Sequence, residues 1–135
     1  MNEREDGMRD HEAAREGARE PGDLALLFNA RANAGDVEGL VALYEPGAVL
    51  AAGDVVATGR EEIRRFYTDL LARRSEFPQA ETLPTLVKDD LALTFARLAS
   101  GVLSVEAAKR QADGSWLWAI DQLKIKPRGE APARP

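Results

Sequence analysis

From Leu24 onward the apolar positions recur with the period of a helix. Leu24, Leu27, Phe28 and Ala32 fall on one face, and Gly35 is a suitable stop. Asp36 can then cap a second helix whose apolar stripe is Val37, Leu40, Val41 and Tyr44, ended by Glu45-Pro46-Gly47. Ala48 to Ala51 and Val55 to Thr58 are short and extended, and Ala52-Gly53-Asp54 joins them as a hairpin. The strongest periodicity is that of Ile63, Phe66, Tyr67, Leu70 and Leu71, one stripe of a third helix. Thr58 with Glu61 resembles a capping box at its start, and Arg73 and Arg74 suit its negative C-terminal end.

After Pro84 the period changes to two. Leu91 to Leu98, Val102 to Arg110 and Trp116 to Ile125 read as strands, with turns at Ser100-Gly101 and Asp113-Gly114. A weaker strand, interrupted by Pro78 and Pro84, is expected near Leu83 to Val87. Helices followed by an antiparallel meander make an α+β domain. Residues 1–22 contain no Leu, Ile, Val, Phe, Trp or Tyr, so they cannot bury enough apolar surface to offset their ordering entropy. The expected organisation is a mobile polar tail over 1–22, a domain over 23–126 and a Pro-rich tail over 127–135. Glu/Arg spacing in the first tail also allows a frayed helix. Removing residues 1–21 is expected to change stability by less than about 0.5 kcal/mol.

A length of 135 residues suits one domain. With no Cys and a single His, His11, in the polar N-terminal stretch, thiolate or imidazole metal sites and Ser-His-Asp triads are not expected. The net charge of −5 and the scattered Lys and Arg argue against a nucleic-acid partner. No apolar run approaches the ~20 residues of a membrane span, and the acidic start is unlike a signal peptide, so a cytoplasmic location is expected. No Gly-rich phosphate loop or nicotinamide fingerprint is present, and no cofactor is implied.

Within this order of elements, GDVEGLVALYEPGAVL followed by TGREEIRRFY resembles the nuclear transport factor 2-like superfamily, from about Leu24 to Ile125. The stretch ADGSWLWAIDQL is similar to its SnoaL-like branches. The resemblance implies a cystatin-like cone: three N-terminal helices packed on a strongly curved, mostly antiparallel sheet that encloses a pocket. It also implies a small apolar molecule as the partner, handled by an isomerase, cyclase or hydrolase, or else by a non-catalytic binding or assembly module. Candidate wall residues are Phe28, Phe66, Leu70, Phe95, Leu117, Ala119 and Leu123, all of which would serve equally as packed core.

Similarity to ketosteroid isomerases can be followed residue by residue. Those enzymes need a carboxylate base beside the substrate α-carbon and acidic donors aimed at the developing enolate. Their tyrosine donor falls on Phe28 and their Asp base on Ala52, so their own mechanism is not expected here. Tyr44 and Tyr67 fall where certain isomerases place two supporting tyrosines, although core packing also explains them. Glu106 falls on the protonated Asp of the oxyanion site. That alignment turns it inward with Ser104 and Ala108, whereas simple alternation turns Leu103, Val105 and Ala107 inward. Asp54 lies two residues beyond the lost base, in a turn where Asp is common for backbone reasons.

Asp121 is the most informative carboxylate. Alternation places it on one face with Leu117, Ala119, Leu123 and Ile125, and an acid among apolar neighbours either finds hydrogen bonds or becomes protonated. SnoaL-like cyclases resemble this chain in carrying an Asp on the last strand as acid/base. The structural alternative is a bond to a neighbouring strand or helix end, or an ion pair with Arg97 or Arg110. The same alternation turns Trp116, Trp118 and Ile120 outward. With Leu103, Val105 and Ala107 they would form an apolar patch suited to a homodimer through the outer sheet face.

Overall fold

The computed structural model describes residues 17–125, so the expectations for residues 1–16 and 126–135 lie outside the described residues. Helix α1 spans Asp23–Asn33, and Asp23 steadies its entry by accepting the backbone N–H groups of Arg19 and Glu20. Gly35, at a φ of 70°, supplies the left-handed turn that ends it. The Asp36 carboxylate then accepts the Gly39 N–H at 2.9 Å, capping α2, Val37–Val41.

The second helix stops sooner than the stripe predicts. Tyr44 is the first residue of β1, Tyr44–Ala52, because the Leu43 carbonyl is taken at 2.8 Å by the Trp118 N–H of the last strand. A helical period and a strand start bury Tyr44 equally well; pairing decides between them. Glu45-Pro46-Gly47 is a distortion within β1, whose register shifts between Tyr44 and Val49.

The hairpin to β2, Val55–Thr58, turns through Gly53, at a φ of 63°, and Asp54. Helix α3 follows over Gly59–Arg73. Its cap differs from the expected box: the Thr58 hydroxyl makes no capping bond, and the Thr58 N–H donates to Glu62 rather than Glu61. Strands β3 (Glu81–Lys88), β4 (Leu91–Arg97), β5 (Leu103–Arg110) and β6 (Trp116–Ile125) form the expected meander. Among the described residues the sheet has six strands in the order β2-β1-β6-β5-β4-β3, with only β1 and β6 parallel. Leu24, Leu40, Leu50 and Ile63 are among the fully buried residues that join the helices to this curled sheet.

One irregularity sets which side chains face inward. Ala107 pairs with Ile120 but Ala108 pairs with Trp118, so β6 carries an extra residue, Ala119, opposite one step of β5. Alternation therefore restarts at Ala119. Trp116 and Trp118 are buried rather than outward, whereas Ile120 is 56% exposed. The outward-tryptophan expectation is overturned by this bulge. The outer face instead carries the row Leu93–Ala107–Ile120–Val49, flanked by Leu86 and Val56, with Leu86, Leu93, Ile120 and Val56 all exposed.

The N-terminal boundary also moves. Ala18 is fully buried, and its carbonyl accepts the Trp116 N–H at 2.9 Å, so the chain is docked onto the domain from Gly17. Ala18 carries too little apolar surface to stand out in the sequence, which is why hydrophobicity alone missed it. Beginning the chain at Gly22 exposes that N–H and the Trp116 ring. The expected cost is about 1–2 kcal/mol, read as a melting-temperature loss of several degrees by calorimetry; an unchanged melting temperature would restore the original boundary.

Candidate functional site

Across five strands the inward positions form one transverse rung: Thr94 on β4, Glu106 on β5, Asp121 on β6, Leu50 on β1 and Ala57 on β2. Every member is buried. Glu106 is thus turned inward, and it stands directly opposite Asp121 on the neighbouring strand, a placement that brings two acids within a few ångströms. Asp121 is only 1% exposed.

Each acid is held by its own chain of donors. The Tyr44 hydroxyl donates to Asp121 Oδ2 at 2.5 Å, and its oxygen lies 2.6 Å from the Tyr67 hydroxyl. Because Tyr44 spends its single proton on Asp121, Tyr67 is the donor to Tyr44. On the other side, the Trp118 indole N–H reaches Thr94 Oγ1 at 3.4 Å, and Thr94 donates to Glu106 Oε1 at 2.5 Å. Asp121 Oδ1, fully buried, has no hydrogen-bond partner among the described residues. Arg97 and Arg110 pair with Glu81 and Asp90, so neither takes up Asp121 as a counter-ion.

Both acids are shifted upward from their ordinary values. Burial is the main cause for Asp121, the adjacent Glu106 charge adds to it, and the Tyr44 hydrogen bond offsets only part, leaving Asp121 well above. Burial also raises Glu106, against the opposing hydrogen bonds of Ser104 and Thr94. Burial and the Asp121 charge drive the hydroxyls of Tyr44 and Tyr67 well up, so both stay protonated donors. Asp121 is the more deeply buried of the two acids. Its proton belongs on Oδ1, since Oδ2 already accepts from Tyr44.

Both acids line a cavity of about 150 Å³ between α1, α3 and the sheet. Phe28, Phe66, Leu70 and Leu123 line it as expected, and Trp118 joins them. Phe28 packs edge-on against both Tyr67 and Trp118, with ring centres 6.0 and 6.2 Å apart. Tyr44 and Tyr67 stand behind Asp121 rather than on the wall.

Four expected pocket residues are elsewhere. Asp54 is exposed in the β1–β2 turn and does not line this cavity. Phe95 lies on the outer alternation of β4, because Thr94 takes the inward position. Leu117 and Ala119 are displaced from the wall by the Ala119 bulge, which gives the position to Trp118.

The mouth was missed by sequence reasoning. The segment between α3 and β3 crosses the cavity rim with Arg74, Phe77 and Gln79. The Phe77 N–H donates to Asn33 Oδ1 at 2.8 Å, and its carbonyl accepts from Asn29 at 2.7 Å and Asn33 at 3.0 Å, tying the segment to α1. Asn29 and Asn33 at i and i+4 on the first helix were the available signal, though nothing nearby marked their partner.

No group of three or more His, Cys, Asp or Glu side chains among the described residues could hold a metal ion. No described helix is long and apolar enough to cross a membrane.

Solved structures share this architecture. A protein of unknown function with a cystatin-like fold from Nostoc punctiforme is similar with a TM-score of 0.62 at 17% identity, over 78% of this chain and 88% of that one. A ketosteroid isomerase-like protein from Erwinia carotovora atroseptica gives a TM-score of 0.61 at 21% identity, over 78% and 94%. A candidate polyketide cyclase from Sinorhizobium meliloti gives 0.52 at 21% identity, over 76% and 94%. At these identities the likeness establishes the fold. No curated protein matches the chain in sequence. The SnoaL-like domain family model, however, matches residues 25–126, nearly the whole described domain, and the chain belongs to that family.

Proposed function

We propose that this is a cytoplasmic small-molecule protein whose cavity performs cofactor-independent acid/base chemistry on an apolar carbonyl compound. The observation that carries this reading is Asp121, a residue of the cavity lining whose Oδ1 is buried without a partner among the described residues. A buried polar atom without a partner is costly unless something meets it. A carbonyl oxygen in the cavity would accept the Asp121 proton, while the Tyr67–Tyr44 relay holds the acid in place. Glu106, the less deeply buried acid and also part of the cavity lining, is the group suited to take a proton from the adjacent carbon. Environments that separate the affinities of two neighbouring acids suit one as donor and the other as base. The base thus comes from the sheet interior, not from the hairpin position that Ala52 occupies.

The raised acids imply a pH signature. Their folded values exceed the unfolded ones, near about 4, so between the two the native state binds more protons and stability falls as pH rises. The melting temperature is expected to decline as pH rises above about 4. Asp121→Asn should flatten that decline; an equally steep profile in the variant would place the effect elsewhere.

The chemistry is tested with 4-methylcyclohexanone in D2O, following loss of its α-proton signal by NMR. The native protein should accelerate exchange over buffer, and Asp121→Asn and Glu106→Gln should each reduce the acceleration by about 100- to 10,000-fold. Binding of the ketone without exchange above buffer would make the protein a non-catalytic binding module.

The functional unit in this proposal is a homodimer through the outer sheet face. Leu86, Leu93, Ile120 and Val56 expose an apolar surface of a kind that monomers seldom leave uncovered, and a two-fold axis is the commonest way to cover one. Sedimentation at micromolar concentration should give twice the chain mass, and Ile120→Glu should give the 14.7 kDa species. The native protein sedimenting at that smaller mass would refute the dimer.

A further inference from the structure

Among the described residues, three charged side chains line the cavity: Arg74, Glu106 and Asp121. The two acids are buried on the sheet, whereas Arg74 is exposed just past the end of α3, at the mouth. Its guanidinium lies over the Phe77 ring, 4.8 Å from the ring centre. Its Nε donates to the Glu76 carbonyl at 2.9 Å. Phe77 is itself fixed to α1 through Asn29 and Asn33. An arginine stacked on a ring and tied at Nε is held in orientation, with its two Nη groups left as a fork. Among the described residues no carboxylate takes that fork, whereas the adjacent Arg73 is paired with Asp69 at 2.8 Å.

We propose that Arg74 is a specificity-determining residue that receives a carboxylate at the cavity mouth, so that the substrate class is a small apolar oxo-acid. This rests on the carbonyl-handling reading of the cavity and narrows it. Size agrees: a space of about 150 Å³ holds a body no larger than a single ring, since an engineered cavity of about that volume takes benzene. The oxo group meets Asp121 at one end of that body, and an acid substituent on the other end emerges beside Arg74. Two parallel N–H donors match a carboxylate in a way that a neutral amide cannot. The same positive group at the mouth disfavours an ammonium ligand, which the two acids alone would otherwise have suited.

The test compares 4-oxocyclohexanecarboxylate with its neutral 4-oxocyclohexanecarboxamide, with affinities measured by NMR titration of the full chain. The native protein should prefer the carboxylate by about tenfold or more, the value of one charge-assisted pair. Arg74→Gln should abolish that preference, weakening the carboxylate far more than the amide. Arg74→Lys should retain part of it. Because Arg74 is exposed, each variant should keep the native melting temperature. Equal affinity of the native protein for the two probes, or a preference that survives Arg74→Gln, overturns the assignment. If Asp121→Asn leaves both affinities and the exchange rate untouched while Arg74→Gln acts as described, the mouth assignment stands and the acid/base reading falls. If neither probe binds, both fall.

Discussion

The placement of a single extra residue in the last strand governs most of what this fold can do. Trp118 and Asp121 are three positions apart, so strict alternation would put them on opposite faces of the sheet. The bulge at Ala119 restores both to the inner face. An aromatic ring and an acid can then share one cavity, and Ile120 is left outside. Bulges also bend and twist the strand that carries them. The register shifts in β1, β3 and β6 together let a six-stranded sheet curl against the helices instead of lying flat.

Two acids facing each other in a buried rung work against the stability of the domain. Each must give up hydration, and each raises the cost of ionising the other. The fold tolerates them because each has a built relay, Tyr67–Tyr44 for one and Trp118–Thr94 for the other. Apolar packing of Leu24, Leu40, Leu43 and Ile63 supplies the surplus that such a site needs. Sites poised for chemistry are commonly less stable than an apolar core in their place would be.

Much of this was legible from residue order. The third helix, the hairpin, the meander and the class of fold follow from periodicity and turn residues, and they agree with the structure to within a few residues. Asp121, Glu106, Phe28, Phe66, Leu70 and Leu123 were marked by alternation and resemblance together, and the cavity gathers them. The failures share a cause. Periodicity reports which residues share a face, not which face is inside, so the alternation of Leu91, Leu93 and Phe95 with Ala92, Thr94 and Ala96 left Phe95 misplaced. A bulge adds a residue with no sequence signature, which misplaced Leu117, Ala119 and both tryptophans. Tyr44 was assigned to a helix because the pairing that captures it comes from a strand more than seventy residues later.

The latch between Phe77 and the two asparagines of α1 has a consequence for how such a protein can change. The mouth is secured by side-chain hydrogen bonds to one helix, not by the strand ladder. Its residues can therefore be exchanged without disturbing sheet register, while the acids on β5 and β6 stay locked into it. Under the proposed function, recognition and proton transfer would fall to separate parts of the chain, so that a new ligand preference could arise at the rim while the two buried acids are inherited intact.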